Sequence, residues 1–266
     1  MALVSVERRG GTAVITYANP PLGTMTAPGS AEMLAAVTAA AEDPAVRAVV
    51  LTGGLPDIFI RHYDIGELNV MGQRLAPGAP PARQPEAVGK PGGTFGELVD
   101  AIAAAPKPVI AAINGLCMGG GFEISLACDI RIAATGAAAI GLPETRVGIF
   151  PGGGGTQRLP RVIGEARALE MILRGRTVTG AEAAGIGMVH EAAPDALARA
   201  LEIAAEFESK GAEGVAYAKR LTRAALDRPL AEGLDDERRS FVAVMRTEGA
   251  RRGLEAGLPP NQIQTL

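Results

Sequence analysis

Two glutamates, Glu123 and Glu144, each stand beside a run of residues that leaves backbone amides exposed. Glu123 follows Gly119-Gly120-Gly121-Phe122. Glu144 closes Gly141-Leu142-Pro143-Glu144, and Phe150-Pro151-Gly152-Gly153-Gly154-Gly155 comes soon after. Glycine lets a backbone approach a ligand closely. A carboxylate beside such a backbone can move a proton while the amides hold the negative charge that develops. A phosphate cradle is the competing reading of residues 119–121, but neither G-x-G-x-x-G nor G-x-x-x-x-G-K-[ST] spacing is present in this segment. Taken alone, Glu123 also fits a solvated glutamate in a first helical turn, where the helix dipole favours it.

The hydrophobic pattern supplies a scaffold for these residues. Residues 3–6 and 12–17 read as two strands joined by a Gly10-Gly11 turn, and Asn19-Pro20-Pro21 breaks the second. An alanine- and leucine-rich helix is predicted over 27–42, ended by Asp43-Pro44. The apolar, β-branched run 46–52 reads as a buried strand. A helix over 96–105 and strands over 109–113 and 130–134 follow. Strands alternating with helices argue for an α/β architecture. The segment 114–130 runs from a strand through glycines into an apolar helix, and the unpaired N–H groups at that helix start could receive an anion. Residues 75–93, with prolines at 77, 80, 81, 85 and 91, read as a surface loop that either shapes a pocket or is a tolerated insertion. From residue 194 the pattern changes to alanine-rich helices over 194–210, 214–227 and 230–246, with no strand signal. This helical part is expected to pack on the core, residues 1–193, or on another subunit.

The 266 residues can bury a large core. With 26 basic against 29 acidic residues the formal charge is −3, which gives no electrostatic footprint for nucleic acid. No stretch reaches the about 18 uninterrupted apolar residues of a membrane span. The first residues lack the basic-then-apolar order of a signal peptide. Cys117 and Cys128 read as reduced core residues of a cytoplasmic protein. No metal site is expected.

A series of motifs then follows in order: Lys107-Pro108-Val109-Ile110-Ala111-Ala112-Ile113-Asn114-Gly115, Gly119-Gly120-Gly121-Phe122-Glu123, Cys128-Asp129, Gly141-Leu142-Pro143-Glu144 and Pro151-Gly152-Gly153-Gly154-Gly155-Thr156-Gln157-Arg158-Leu159. Leu173-Arg174-Gly175 and residues 181–189 continue it. The chain resembles the enoyl-CoA hydratase/isomerase (crotonase) family, closely over 105–192 and more loosely over 1–70 and the helical tail. The resemblance implies a spiral of β-β-α units with C-terminal helices that build trimers or dimers of trimers. It implies an acyl thioester of coenzyme A as substrate and no separate cofactor. Two backbone amides, by position Gly120 and Tyr63, would form an oxyanion hole. Glu123 and Glu144 would share acid and base roles on one water, which the Gly152 amide would help to hold. Arg61, His62, Asp64, Ile65 and Leu142 would touch the substrate. Retention of both glutamates favours hydration or its reverse. A double-bond isomerase, a carbon–carbon hydrolase and a non-catalytic acyl-CoA-binding or scaffold protein are the alternatives.

The first oxyanion segment departs from the family. A small-residue stretch of the type Ala-Gly-Ala-Asp is common there, and this chain has Arg61-His62-Tyr63-Asp64. Any residue but proline keeps a backbone donor, yet His62 in place of glycine matters if that position needs φ > 0. His62 could touch the substrate and titrate near neutral pH, or pack outward, or bind the coenzyme. Arg61 could meet a coenzyme phosphate or stay exposed, and Tyr63 could line the acyl pocket or simply pack. His190 reads as a surface or interface residue. The chain end, residues 257–262, lacks the basic, aromatic ending common in the family.

Overall fold

The computed structural model describes residues 2–77 and 92–257. Most of the proline-rich stretch and the chain end after Gly257 lie outside the described residues. In chain order the elements are β1 (Val4–Arg9), β2 (Thr12–Tyr17), α1 (Ala27–Glu42), β3 (Ala48–Gly53), β4 (Ile58–Ile60), α2 (Ile65–Leu75), α3 (Gly93–Ala104), β5 (Val109–Ile113), β6 (Leu116–Met118), α4 (Gly120–Ala127), β7 (Ile130–Ala134) and β8 (Ile140–Gly141). A short 3₁₀ turn (Glu144–Val147) leads to α5 (Gly155–Ile163), α6 (Glu165–Leu173), β9 (Thr177–Val178), α7 (Gly180–Gly185) and β10 (Glu191–Ala193). Four helices follow: α8 (Ala196–Ala205), α9 (Ala212–Ala224), α10 (Leu230–Val244) and α11 (Glu248–Ala256).

The strands form two sheets, of order β1-β2-β3-β5-β7-β10 and β4-β6-β8-β9. Successive pairs β3–β4, β5–β6 and β7–β8 each place the first strand in one sheet and the second in the other, and a helical segment follows each pair. That is the expected spiral of β-β-α units. The Gly10-Gly11 turn closes the β1–β2 hairpin in register Arg9↔Thr12, and in this first sheet β2, β3, β5, β7 and β10 run parallel.

Parallel strands covered on both faces read as continuous apolar runs, and side-chain alternation then feeds two cores. Ile15, Val49, Leu51, Ala111 and Ile113 face the larger core with residues of α1, α3 and α4. Val14, Ala48, Val50, Ile110, Ala112 and Ile132 face the other way, onto Ala196, Ala200 and Ala204 of α8. Alanines four apart put one small-residue stripe on the sheet, so the first helix of the tail is itself a layer of the core. Cys117 and Cys128 are buried and unpaired, and burial pushes both thiols up.

Helix α9 is held by one carboxylate. Asp129 Oδ1 accepts from Arg223 Nε and Nη2 at 2.9 and 2.8 Å, and Oδ2 accepts from Lys219 Nζ and the Val109 amide, both at 2.8 Å. Arg223 Nη2 also donates to Ala127 O at 2.6 Å, the last residue of α4. Asp129→Ala would remove the shared carboxylate from the largely buried Lys219 and the partly buried Arg223. Breaking such a buried pair costs about 3–5 kcal/mol, and urea denaturation should show a loss of that order. A loss below about 1 kcal/mol, the value of a surface pair, would show that water replaces the carboxylate.

Helices α2, α5, α6, α7 and α11 were not expected from the sequence. Helix α2 has no buried residue, so it carries no core stripe to announce it, and α11 likewise buries none. Helix α3 begins at Gly93 rather than 96, and α8 ends at Ala205 rather than 210. No described helix is long and apolar enough to cross a membrane.

Candidate active site

Glu123 lies in the first turn of α4, a helix whose residues are all buried. Gly119 precedes it with φ +50°, a conformation open mainly to glycine, and this turns the chain from β6 into the helix. The Glu123 side chain is 3 % exposed. Its Oε1 accepts from the amides of Gly153 at 2.7 Å and Gly155 at 2.9 Å. Gly155 is the first residue of α5, so the carboxylate caps donors that the helix start leaves unpaired. Arg158 holds the loop in place, its Nη1 donating to Gly153 O at 3.0 Å while Nη2 lies 3.7 Å from Asp100 Oδ1. Burial raises the Glu123 carboxyl above the usual range, and the two amides and Arg158 oppose the rise.

Glu144 opens the 3₁₀ turn after β8. A methyl group added to Gly119 would lie 3.2 Å from its Oε1 and 3.5 Å from His62 Cβ. The other oxygen, Oε2, is buried without a hydrogen-bond partner. Burial first, and the charge of Glu123 further, push the Glu144 carboxyl up to about 7. Two loop amides hold the Glu123 anion, whereas only the backbone amide of Glu144 itself opposes the rise of the Glu144 carboxyl. Two carboxyls pushed apart in this way suit one base and one acid.

The two expected oxyanion amides come together. A methyl group on Gly120 would lie 3.4 Å from Tyr63 N. Met25 bridges the Tyr63 backbone in parallel, its amide donating to His62 O at 2.8 Å and its carbonyl accepting from Asp64 N at 2.7 Å. That pattern turns the Tyr63 N–H to the opposite side. Among the described residues, neither Tyr63 N–H nor Gly120 N–H donates to a protein acceptor.

The bulky residues of this segment fit without backbone strain. Asp57 is the only non-glycine with positive φ among the described residues, so His62 does not occupy a glycine conformation. Its Nδ1 is 2.7 Å from Tyr63 O; a carbonyl can only accept, so Nδ1 carries a proton there. The Tyr63 hydroxyl donates to Glu67 Oε2 at 2.9 Å, and its ring meets Phe95 edge-on at 5.4 Å and 79°. Arg61 is half-buried, and its carbonyl accepts from Met118 N at 3.1 Å.

Several expected contacts are positioned otherwise. Both oxygens of Asp64 are engaged within the protein, one capping α2 through Glu67 N at 3.1 Å and one accepting from Thr24 Oγ1 at 3.1 Å. These bonds give Asp64 a capping role on α2. Ile65 is exposed on the first turn of α2, and Leu142 is buried in the core, where it backs Gly155. Gly152 is exposed, and the neighbouring amides of Gly153 and Gly155 donate to Glu123. His190 is exposed, with Nδ1 accepting from Arg131 N at 3.1 Å. Among the described residues no group of His, Cys, Asp and Glu could hold a metal ion.

The sequence pattern of the enoyl-CoA hydratase/isomerase family matches residues 7–259. The chain belongs to this family. The Bacillus subtilis (strain 168) protein YngF, described as an enoyl-CoA hydratase/isomerase, is 49% identical over 161 residues, which are 60% of each chain. The mitochondrial methylglutaconyl-CoA hydratase of Rattus norvegicus is 36% identical over 227 residues, 83% of this chain and 68% of that one. The chain thus spans about two thirds of the length of these relatives. A crystal structure of an enoyl-CoA hydratase from Bacillus anthracis superposes with TM-score 0.84 at 33% identity, covering 96% of this chain and 95% of that one.

Sequence reasoning missed Gly153, Gly155, Arg158 and Phe95 in this enoyl-CoA hydratase/isomerase family member. The run 151–159 carries part of the family resemblance, but which of its amides turns inward depends on Gly154, with φ +103° at the α5 cap.

Proposed function

We propose that the chain catalyses the addition of water to a 2-enoyl-CoA thioester, and its reversal. The observation that carries this reading is the buried Glu123 carboxyl and the half-buried Glu144 carboxyl beside two backbone amides without a protein acceptor. The thioester carbonyl accepts from Tyr63 N–H and Gly120 N–H. Ionised Glu123 takes a proton from water as its oxygen bonds to the β-carbon. The double-bond electrons move to the thioester oxygen as an enolate, which the amides stabilise; one such donor is worth about 3–4 kcal/mol of barrier. Protonated Glu144 then delivers its proton to the α-carbon as the carbonyl re-forms. One proton has moved from water to Glu123 and one from Glu144 to product, and exchange with solvent resets the pair. Gly152, at the exposed start of the glycine loop, is the further amide proposed to hold the water.

Relatives named as enoyl-CoA and methylglutaconyl-CoA hydratases support this reaction over the alternatives. The test follows loss of the conjugated enoyl-thioester absorbance together with product mass. Gain of one water is hydration, whereas an unchanged mass is isomerisation.

We also propose that the chain self-associates as a trimer or dimer of trimers. Exposed Leu230, Phe241 and Met245 on and just after α10 support an apolar contact. Light scattering that returned a monomer mass at micromolar concentration would count against it.

A further inference from the structure

Phe95 takes no part in the chemistry above, yet its ring reaches both halves of the site. A methyl group on Gly120 would lie 3.2 Å from Phe95 Cζ, and one on Gly153 would lie 2.4 Å from Cε1. Gly120 carries one of the free amides, and the Gly153 amide holds Glu123. The same added methyl on Gly153 would lie 2.7 Å from Glu123 Oε2. The ring therefore spans the gap between the Gly120 turn and the Glu123 loop. Its other side is braced by Tyr63, edge-on at 5.4 Å, whose hydroxyl is fixed by Glu67. Behind it Leu98, Val99 and Ile102 bury α3 in the core, so the backbone that carries Phe95 is anchored. Glu144 and His62 lie by Gly119, on the other flank of the same turn. The site thus has a polar flank and an aromatic flank.

We propose that Phe95, braced by Tyr63, is the wall that ends the acyl pocket and restricts it to short acyl thioesters. The proposal rests on the acyl-thioester reading above. A carbonyl held by the Tyr63 and Gly120 amides puts the α- and β-carbons at the carboxyls, and a longer chain must displace the ring to continue along the aromatic flank. A methylene that finds an apolar berth adds roughly fourfold to affinity, and one that does not adds nothing.

The test uses the full chain with Phe95→Ala and Phe95→Leu. Calorimetry gives affinities for the unreactive saturated thioesters butyryl-CoA and decanoyl-CoA, and kinetics gives kcat/KM for the four- and ten-carbon 2-enoyl-CoAs. The wild type should favour the four-carbon compounds. In Phe95→Ala the ten- to four-carbon ratio should rise by about tenfold or more, since two or three methylenes gain room, and in Phe95→Leu by a smaller factor. Leucine keeps an apolar filler against α3, so it carries the test if the alanine variant fails to fold. An unchanged ratio in a folded variant, or a wild type that already favours ten carbons, overturns the wall while leaving hydration standing. Binding that obeys the predicted ratios without turnover supports the wall and overturns hydration. Absence of binding by either thioester overturns both.

Discussion

Glu144→Gln lowers the turnover of a 2-enoyl-CoA by about 10²–10⁴-fold, the usual worth of a positioned acid or base. Glutamine keeps the shape of the side chain and removes only the transferable proton. The enolate formed by addition then has no donor at its α-carbon. Glu123→Gln should lose activity in the same range, for a different reason. Its amide oxygen can still accept from Gly153 and Gly155, so the loop remains ordered, but nothing takes the proton from water. Substrate affinity should change little in either variant, because the proposed mechanism assigns the thioester carbonyl to the Tyr63 and Gly120 amides. The double variant should be little worse than the poorer single one, since the two residues act as a unit. Steady-state kinetics with circular dichroism as the folding control checks each point. Full activity in both single variants would sink the two-carboxyl mechanism.

The second large effect is on the pH profile. Hydration requires Glu123 ionised and Glu144 protonated, and the reverse reaction requires the proton on the other partner. Both directions therefore need one proton on the pair, and both should share one bell-shaped profile whose limbs belong to the pair. With Glu144 raised to about 7, kcat/KM should fall above neutral pH, tending to tenfold per pH unit on the alkaline side. The acid limb reports Glu123, whose carboxyl is also raised by burial. The residual activity of Glu144→Gln should lose the alkaline limb and keep the acid one. Measurement of kcat/KM between pH 5 and 9 decides it, and a flat profile from pH 6 to 9 in the wild type would overturn the assignment.

Glu123 and Glu144 stand out because a carboxylate beside a glycine run is a local signal, and the chemistry proposed for them comes from family resemblance. The strands of the first sheet, all but the three-residue β10, were legible for a similar reason. Strands β3, β5 and β7 are short apolar runs that stand out from their surroundings. The second sheet was not, since β4, β6, β8 and β9 have only two or three residues each, too few to show a period of two. Helix α2 could have been found at its start, where Asp64-Ile65-Gly66-Glu67 has an acid at the cap and a glutamate three residues on. That signal would also have reassigned Asp64 from substrate contact to cap. The meeting of Glu123 with Gly153, or of Phe95 with Gly120, joins segments tens of residues apart, and no local spacing encodes it. The concern over His62 was settled by its backbone, which avoids the conformation that only glycine takes easily.

The partnerless Glu144 oxygen also acts on the folding equilibrium. The folded carboxyl titrates near 7, whereas in the unfolded chain it returns to about 4.3. The native state therefore binds the proton more tightly, and this contribution to stability is complete below the lower value and is lost as pH rises through the upper one. Above neutrality the fold carries a charge it would be more stable without. A screen for heat resistance at alkaline pH would enrich neutral residues at position 144, and a screen for turnover would discard the same variants. Selection for endurance and selection for work thus pull this one side chain in opposite directions.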